Sequence, residues 1–415
     1  MNEVKNLLIG IELTGRSAQL CYFDRKLKDP VSVPMRVGTN LYRFAMALAK
    51  LPGKEEWRIG CEAEYFHKSG EGTVLVNPCI LAAEGKGEEI EGRLYSPEEL
   101  LAAYIKEMLR FLGLPNPVAS ASGIGVVTET LTRAFSDVIK KALLLIGFRP
   151  GQCFIADFGE SFYYYGYSQK TEYCARGLGL IRFYGDEVRF FDMIERRNTK
   201  PRTAELAIGP FASLPKEGEE RDAAFSSMVE EWAKDKSLSS IYLTGEGFQT
   251  DWAGNSLKTL SRSSSHVFEG DNLFAKGAVW MVYELLERHS FTGRLYLGAS
   301  LLRATIGLYV TQGGKDLFLP LIEAGRSCFE AEVSFDILLE GQDGITFHVK
   351  KIGEREGARK VLYLPGLPER PDRTTRIRLT LSTPDELTCR VTAEDLGFGE
   401  LFPASHNRYE MEIDL

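Results

Sequence analysis

The feature that most constrains this chain is a change of texture near Phe291. Before it, strand-length apolar runs alternate with stretches of helical spacing. From there to Leu415, apolar and polar residues alternate in period two and no long helical pattern returns. Strands alternating with helices imply a layered α/β body, whereas period-two runs closed by turns imply an all-β fold. The sequence therefore predicts an α/β domain over 1–290 and an all-β domain over 291–415, and the 415 residues suffice for two sizeable cores.

Within the first domain, Leu7 to Asp24 reads as a hairpin of two apolar strands turning at Thr14-Gly15-Arg16, with Glu12 just before the turn. A third strand is predicted at Val31 to Arg36 and a helix over Leu41 to Leu51. Ser96-Pro97-Glu98-Glu99 is a helix start: serine caps free amides, proline suits the first helical position and Glu99 completes a capping box. Strands at Val118 to Val127 and Gln152 to Asp157 enclose a helix over Glu129 to Leu145. A second hairpin, Leu178 to Met193, turns at Gly185-Asp186 and echoes the first. Asn198 to Glu219 reads as a loop or small insertion. Ser239 to Thr244 is a strand leading into Gly245-Glu246-Gly247, followed by helices near 251–260 and 271–287. In the second domain, Gly341 to Gly344 and Thr383 to Glu386 read as hairpin turns.

Composition narrows the function. A net charge of −8 with mixed, short basic runs argues against a nucleic-acid surface. No apolar run approaches the roughly 20 residues that cross a bilayer, and the start resembles no secretory signal. The seven cysteines are odd in number and form no C-x-x-C pair, which suits small core residues in a reducing cytosol. A cytoplasmic location, with neither membrane nor nucleic acid as partner, is the expectation. The five scattered histidines give no metal spacing, and no P-loop or Ser-His-Asp pattern is present.

With this layout the sequence resembles the actin-like ATPase superfamily and, within it, the DnaK-type heat-shock chaperones. LLIGIELTGRSAQLCYFD is similar to the first phosphate hairpin, IYLTGEGFQTDW to the adenosine-side strand and glycine turn, and VFEGDNLFAKGAVW to the closing helix. SFDILLEGQDGITFHVKKIGEREG and VLYLPGLPERPDRTTRIRLTLSTPDELTCRVTAEDLGFGE resemble the chaperone substrate-binding β-sandwich. ESFYYY and DLGFGELFP are similar to an Hsp70-like group of bacterial proteins with degenerate nucleotide motifs. The resemblance implies an actin-like (ribonuclease H-like) body in two lobes, the second reduced between Ile194 and Leu238, then a β-sandwich without a helical lid.

The same resemblance supplies the candidate site. Glu12, Thr14, Gly15 and Arg16 fall on the first phosphate turn, Gly185 on the second, and Gly245 and Gly247 on the adenosine side. Glu12 and Asp186 are the candidate metal carboxylates. Asp157 falls at the water-positioning acid, and it equally reads as a helix cap. The turns depart from the family: Thr14 and Arg16 replace glycine and threonine, an aromatic replaces the metal-side aspartate, and Glu64 stands where a phosphate lysine is expected. A carboxylate 4 Å from a phosphate is unfavourable by about 4 kcal/mol at an effective dielectric near 20. The expectation is a pseudo-ATPase without a required cofactor, acting as a protein- or peptide-binding module with Phe329 and Phe335 as candidate groove residues. Two alternatives stand beside it: a slow Mg-ATP-dependent ATPase with a rebuilt site around Glu12, Asp157, Asp186 and Arg16, and an actin-like scaffold, with Tyr163-Tyr164-Tyr165 either an interface anchor or core. The oligomeric state is not fixed by the sequence.

Overall fold

The computed structural model describes residues 6–216, 218–248, 251–262, 265–341, 344–354 and 356–415. The chain divides into two compact units, one of Met1–Glu195 and Glu205–Thr292, the other of Arg196–Ala204 and Gly293–Leu415.

The first unit is built from two sheets of one design. In the first, the strands Leu7–Leu13, Ser17–Asp24 and Asp29–Ser32 pair in sequence as an antiparallel meander. Ala121–Thr128 and then Cys153–Asp157 add in parallel on the other side of the first strand. The second sheet repeats this order. Leu178–Tyr184 and Glu187–Arg196 form a hairpin, Arg202–Ser213 follows, and Ser240–Glu246 and His266–Glu269 add in parallel beyond Leu178–Tyr184. The echo between the two hairpins in the sequence is thus an echo of whole sheets.

One face of the first sheet packs Ile9, Ile11, Leu13 and Leu20 against the helices Pro97–Leu109 and Arg133–Ile146. Ser96 caps the first of these through the predicted capping box, and Thr132 caps the second by accepting from the Phe135 amide. One face of the second sheet packs Ile181, Phe183, Val188 and Phe190 against Phe225, Val229 and Trp232 of the helix Gly218–Ala233. The other faces hold the helices Phe158–Ser168 and Leu273–Tyr283, which exchange sheets. The helix leaving the first sheet touches the second through Phe162 and Tyr242. The helix leaving the second sheet packs Ala275, Val279 and Val282 on Leu8, Cys21 and Phe23 of the first.

Missing side chains permit this crossing. A Cβ on Gly10 would collide with the Ala275 carbonyl, and one on Gly125 would lie 2.7 Å from the Ala278 carbonyl. Tyr163 is buried, and Tyr164 and Tyr165 pack with Phe154 and Trp280, so the tyrosine cluster lies in the body's packing.

Two predictions fail. The helix expected over Leu41 to Leu51 is instead two short strands, Phe44–Ala45 and Ala47–Lys50. Phe44, Met46 and Leu48 are buried at period two, a spacing their apolar pattern also fits. The loop expected from Asn198 to Glu219 contains the strand Arg202–Ser213, whose Thr203 and Ala204 are buried despite the polar surroundings.

The second unit has two four-stranded sheets. One runs Lys315–Ile322, Ala304–Gln312, Gly344–Lys351, Ala358–Tyr363; the other runs Glu332–Leu338, Arg376–Ser382, Thr388–Asp395, Arg408–Asp414. Both contribute to one core that includes Ile306, Phe347, Leu379 and Val391. Arg294–Tyr296 pairs in parallel with Arg202–Ala204. The predicted turn at Gly341 to Gly344 has its centre, Gln342 and Asp343, outside the described residues.

Candidate functional site

The first strand of each sheet turns one charged side chain toward the crossing helices: Glu12 from one and Arg182 from the other. Glu12 is 5 % exposed, and its Oε2 has no hydrogen-bond partner among the described residues. Burial pushes its carboxyl up to about 7; Arg182 and Arg43 oppose the rise, while Asp271 and Glu129 add to it. Gln19, directly across the hairpin, donates from Nε2 to the Asp271 carbonyl at 2.8 Å and leaves its Oε1 unpartnered among the described residues.

Arg182 is enclosed. It pairs with Glu129 at 3.0 Å, and Glu129 also accepts from the Tyr184 hydroxyl at 2.7 Å. Its guanidinium lies 4.6 Å from the Phe158 ring centre and 5.3 Å from that of Phe274. Those two rings, at the starts of the crossing helices, stack 4.0 Å apart. Arg43 completes the cluster by pairing with Glu246 at 3.1 Å and Asp271 at 3.0 Å.

The first glycine turn is closed on itself. Thr14 Oγ1 accepts from the amides of Ser17, at 2.9 Å, and Arg16, at 3.2 Å, and donates to the Ser17 carbonyl at 2.8 Å. A Cβ on Gly15 would lie 3.1 Å from the Ile80 side chain, so this glycine serves packing. The Arg16 side chain is exposed and makes no ion pair among the described residues.

The second turn is tied to the third. The Gly185 amide donates to the Glu246 carbonyl at 2.6 Å. Arg221, 6 % exposed, donates to Asp186 at 2.8 Å, to the Gly185 carbonyl at 2.7 Å and to the Gly247 carbonyl at 3.2 Å. Gly245 and Gly247 have positive φ and lie so close to the Phe183 and Gly185 carbonyls that neither tolerates a Cβ.

Asp157 caps the helix Phe158–Ser168, its Oδ1 accepting from the Glu160 amide at 2.8 Å. Burial raises both of these acids: Asp157 moves above its ordinary range and Glu160 to about 8, the latter helped by the charge of Asp157. Asp157 and Asp186 thus bond to different groups, and the Glu12 side chain shares a hydrogen-bond partner with neither among the described residues. Among the described residues no group of three or more His, Cys, Asp or Glu is placed to hold a metal ion. Glu64, on the helix Cys61–Ser69, is exposed.

A sequence model of the family of unknown function DUF5716, C-terminal part, matches residues 29–299. The chain belongs to that family. A domain of unknown function, DUF8552, matches residues 301–415. No curated protein matches this DUF5716 chain. Among its described residues no helix is long and apolar enough to cross a membrane.

In the DUF8552 part, Phe329 and Phe335 are half-buried and pack on the core. Phe335 lies on Glu332–Leu338, at one edge of its sheet. The other sheet has an edge in Lys315–Ile322 whose first six residues are all exposed, Leu317, Phe318 and Leu319 among them. Sequence reasoning missed Arg182, Arg221, Arg43 and Glu129. Arg182 carried a signal, a lone charge inside an apolar strand; the others are assembled from positions remote in sequence.

Proposed function

We propose that the chain is a chaperone-related pseudo-ATPase that acts by binding protein or peptide segments and does not turn over nucleotide. The repeated strand order and the exchange of helices support assigning the α/β unit to the actin-like fold. The two sheets around one core support likening the second unit to a chaperone substrate-binding sandwich.

One observation carries the reading: at both glycine turns backbone amides, those of Arg16 and Ser17 in the first and of Gly185 in the second, are spent within the chain. A phosphate site needs a run of open backbone N–H groups, and here Thr14 Oγ1 takes those of Arg16 and Ser17 and the Glu246 carbonyl takes that of Gly185. Calorimetry with ATP and Mg²⁺ tests it. No saturable heat is expected; a Kd below about 100 μM overturns the reading.

Binding is proposed at the edge strand Lys315–Ile322, where an extended segment adds by main-chain pairing and Leu317, Phe318 and Leu319 supply side-chain contacts. A labelled extended apolar peptide is expected to bind with Kd of about 10–100 μM. Leu317→Glu with Leu319→Glu should abolish that binding, and an unchanged anisotropy curve for this variant sinks the assignment.

A second reading, slow Mg-ATP hydrolysis at a rebuilt site, is favoured by the unpartnered buried Oε2 of Glu12. The same calorimetry separates the two, with Glu12→Ala as the discriminating variant: it should remove any ATP heat that arises at this site.

A further inference from the structure

Away from the glycine turns, a cavity of about 640 Å³ opens where the helices Pro97–Leu109 and Arg133–Ile146 both end. That volume falls among those of small-molecule sites. Leu109, Val118 and Ile146 give it an apolar floor, and Lys106, Arg110 and Arg149 line it without a carboxylate among the described residues. In a chain of net charge −8, such a pocket needs a reason.

Part of the reason is local. Cations suit helix C-termini, each of which carries about half a negative charge, and Arg110 is paired with Glu107 at 2.7 Å. These terms offset about two of the three positive charges. Roughly one remains.

Arg149 is the group set up to use it. Its backbone amide and its Nε both donate to Gln152 Oε1, at 3.1 and 3.2 Å. Gln152 is 8 % exposed and is anchored in turn by donating from Nε2 to the Ala121 carbonyl at 2.8 Å. The guanidinium is therefore oriented through one edge, while its two Nη groups make no hydrogen bond or ion pair among the described residues. The Lys106 ammonium has no such partner there either. An oriented guanidinium with both Nη groups unspent matches the two oxygens of a carboxylate.

We propose that this cavity binds a small amphipathic monocarboxylate, its apolar body on Leu109, Val118 and Ile146 and its carboxylate on Arg149. The residual single charge disfavours a dianion such as a phosphate monoester. The unspent Nη donors favour an acid over its neutral analogue.

The test uses the full chain and three soluble probes of one shape: 4-phenylbutyrate, 4-phenylbutanol and 4-phenylbutylamine. Methyl-labelled NMR follows Ile146, Leu109 and Val118. The acid is expected to shift these methyls saturably with Kd of about 0.1–1 mM, and the alcohol and amine to bind at least about tenfold more weakly. Arg149→Leu should weaken the acid about tenfold or more, and Arg149→Lys should fall between, because it keeps charge and loses the fork. The thermal midpoint of both variants should stay near that of the wild type, since Arg149 is exposed. Equal affinity for acid and alcohol, an unchanged Arg149→Leu, or no saturation by about 10 mM each overturns the proposal.

Discussion

Arg221 reaches the second hairpin turn from the helix Gly218–Ala233 and grips it from two sides, the Asp186 carboxylate at 2.8 Å and the Gly185 carbonyl at 2.7 Å. The Arg221 side chain is 7 % exposed, whereas that of Asp186 is 53 % exposed. The carbonyl contacts therefore hold more of the energy than the ion pair. Arg221→Met should destabilise the first unit by about 2–4 kcal/mol, because it leaves the Gly185 and Gly247 carbonyls without their donor. Asp186→Ala should cost less, about 1–2 kcal/mol, because the removed carboxylate is half exposed and the buried Arg221 keeps its carbonyl acceptors. Urea unfolding followed by the fluorescence of Trp232 and Trp252 measures both, and equal effects would refute this division.

Glu12 gives a pH dependence of unusual sign. Burial raises its carboxyl from an ordinary 4.5 to about 7 in the folded chain, so the native state holds a proton that the unfolded state has released. Its contribution is fully present below about pH 4.5 and is lost as pH rises through about 7. The loss amounts to about 3 kcal/mol at 1.36 kcal/mol per unit. Glu12→Gln, which stays neutral, should match the wild type near pH 4.5 and exceed it by up to that amount at pH 8. Comparing the two proteins across pH cancels other titrating groups such as Glu160. A difference that does not change with pH would show that Glu12 is ionised throughout.

What the sequence could disclose follows from the range of the interactions involved. The Ser96 cap was legible because donor and acceptor lie three residues apart. Both hairpins were legible because apolar runs and their turns are contiguous. The segment Leu41 to Leu51 carries both periods, Leu41, Phe44, Leu48 and Leu51 at helical spacing and Phe44, Met46 and Leu48 at period two, and only the pairing of Ala47–Lys50 with Thr73–Val76 decides for strand. The candidate turns at Thr14 and Gly185 were legible as turns but not as closed ones. The Arg221 to Asp186 pair spans 35 residues, and the two partners of Arg43 come from different parts of the chain.

Asp395 anchors the second unit. It is fully buried and receives both Nη groups of Arg370 at 2.8 Å, the Ser405 hydroxyl at 2.7 Å, and the Ser405 and Gly397 amides at 2.9 Å. Burial opposes its charge, but Arg370, Ser405 and Gly397 together hold its carboxyl well below the ordinary 3.8. Its stabilisation is therefore present above that value and is lost as pH falls below it. Asp395→Asn should destabilise the sandwich by about 3–5 kcal/mol, since it leaves Arg370 buried without its counter-ion. All four tryptophans lie in the other unit, so the readout is hydrogen exchange of Arg376–Ser382 and Thr388–Asp395. Protection that survives the substitution would show that the pair contributes little.

Gly277 sets how closely the two exchanged helices cross. A Cβ there would run into both the hydroxyl and the carbonyl of Ser161. Ser161 has no room to yield: it is fully buried, and its hydroxyl donates to the Phe274 carbonyl at 2.7 Å. Because the obstruction is backbone and an anchored side chain, relief requires the helices to separate. That movement would disturb the stacked Phe158 and Phe274 rings and the Arg182 packed on them. Gly277→Ala should therefore destabilise by about 3 kcal/mol or more, despite the higher helix propensity of alanine. Gly151→Ala is the control: nothing lies within 4 Å of its added Cβ and its φ is not positive, so its effect should stay within about 0.5 kcal/mol. Urea midpoints of the two variants decide the point, and coincident midpoints would mean that the crossing has slack that these contacts do not allow.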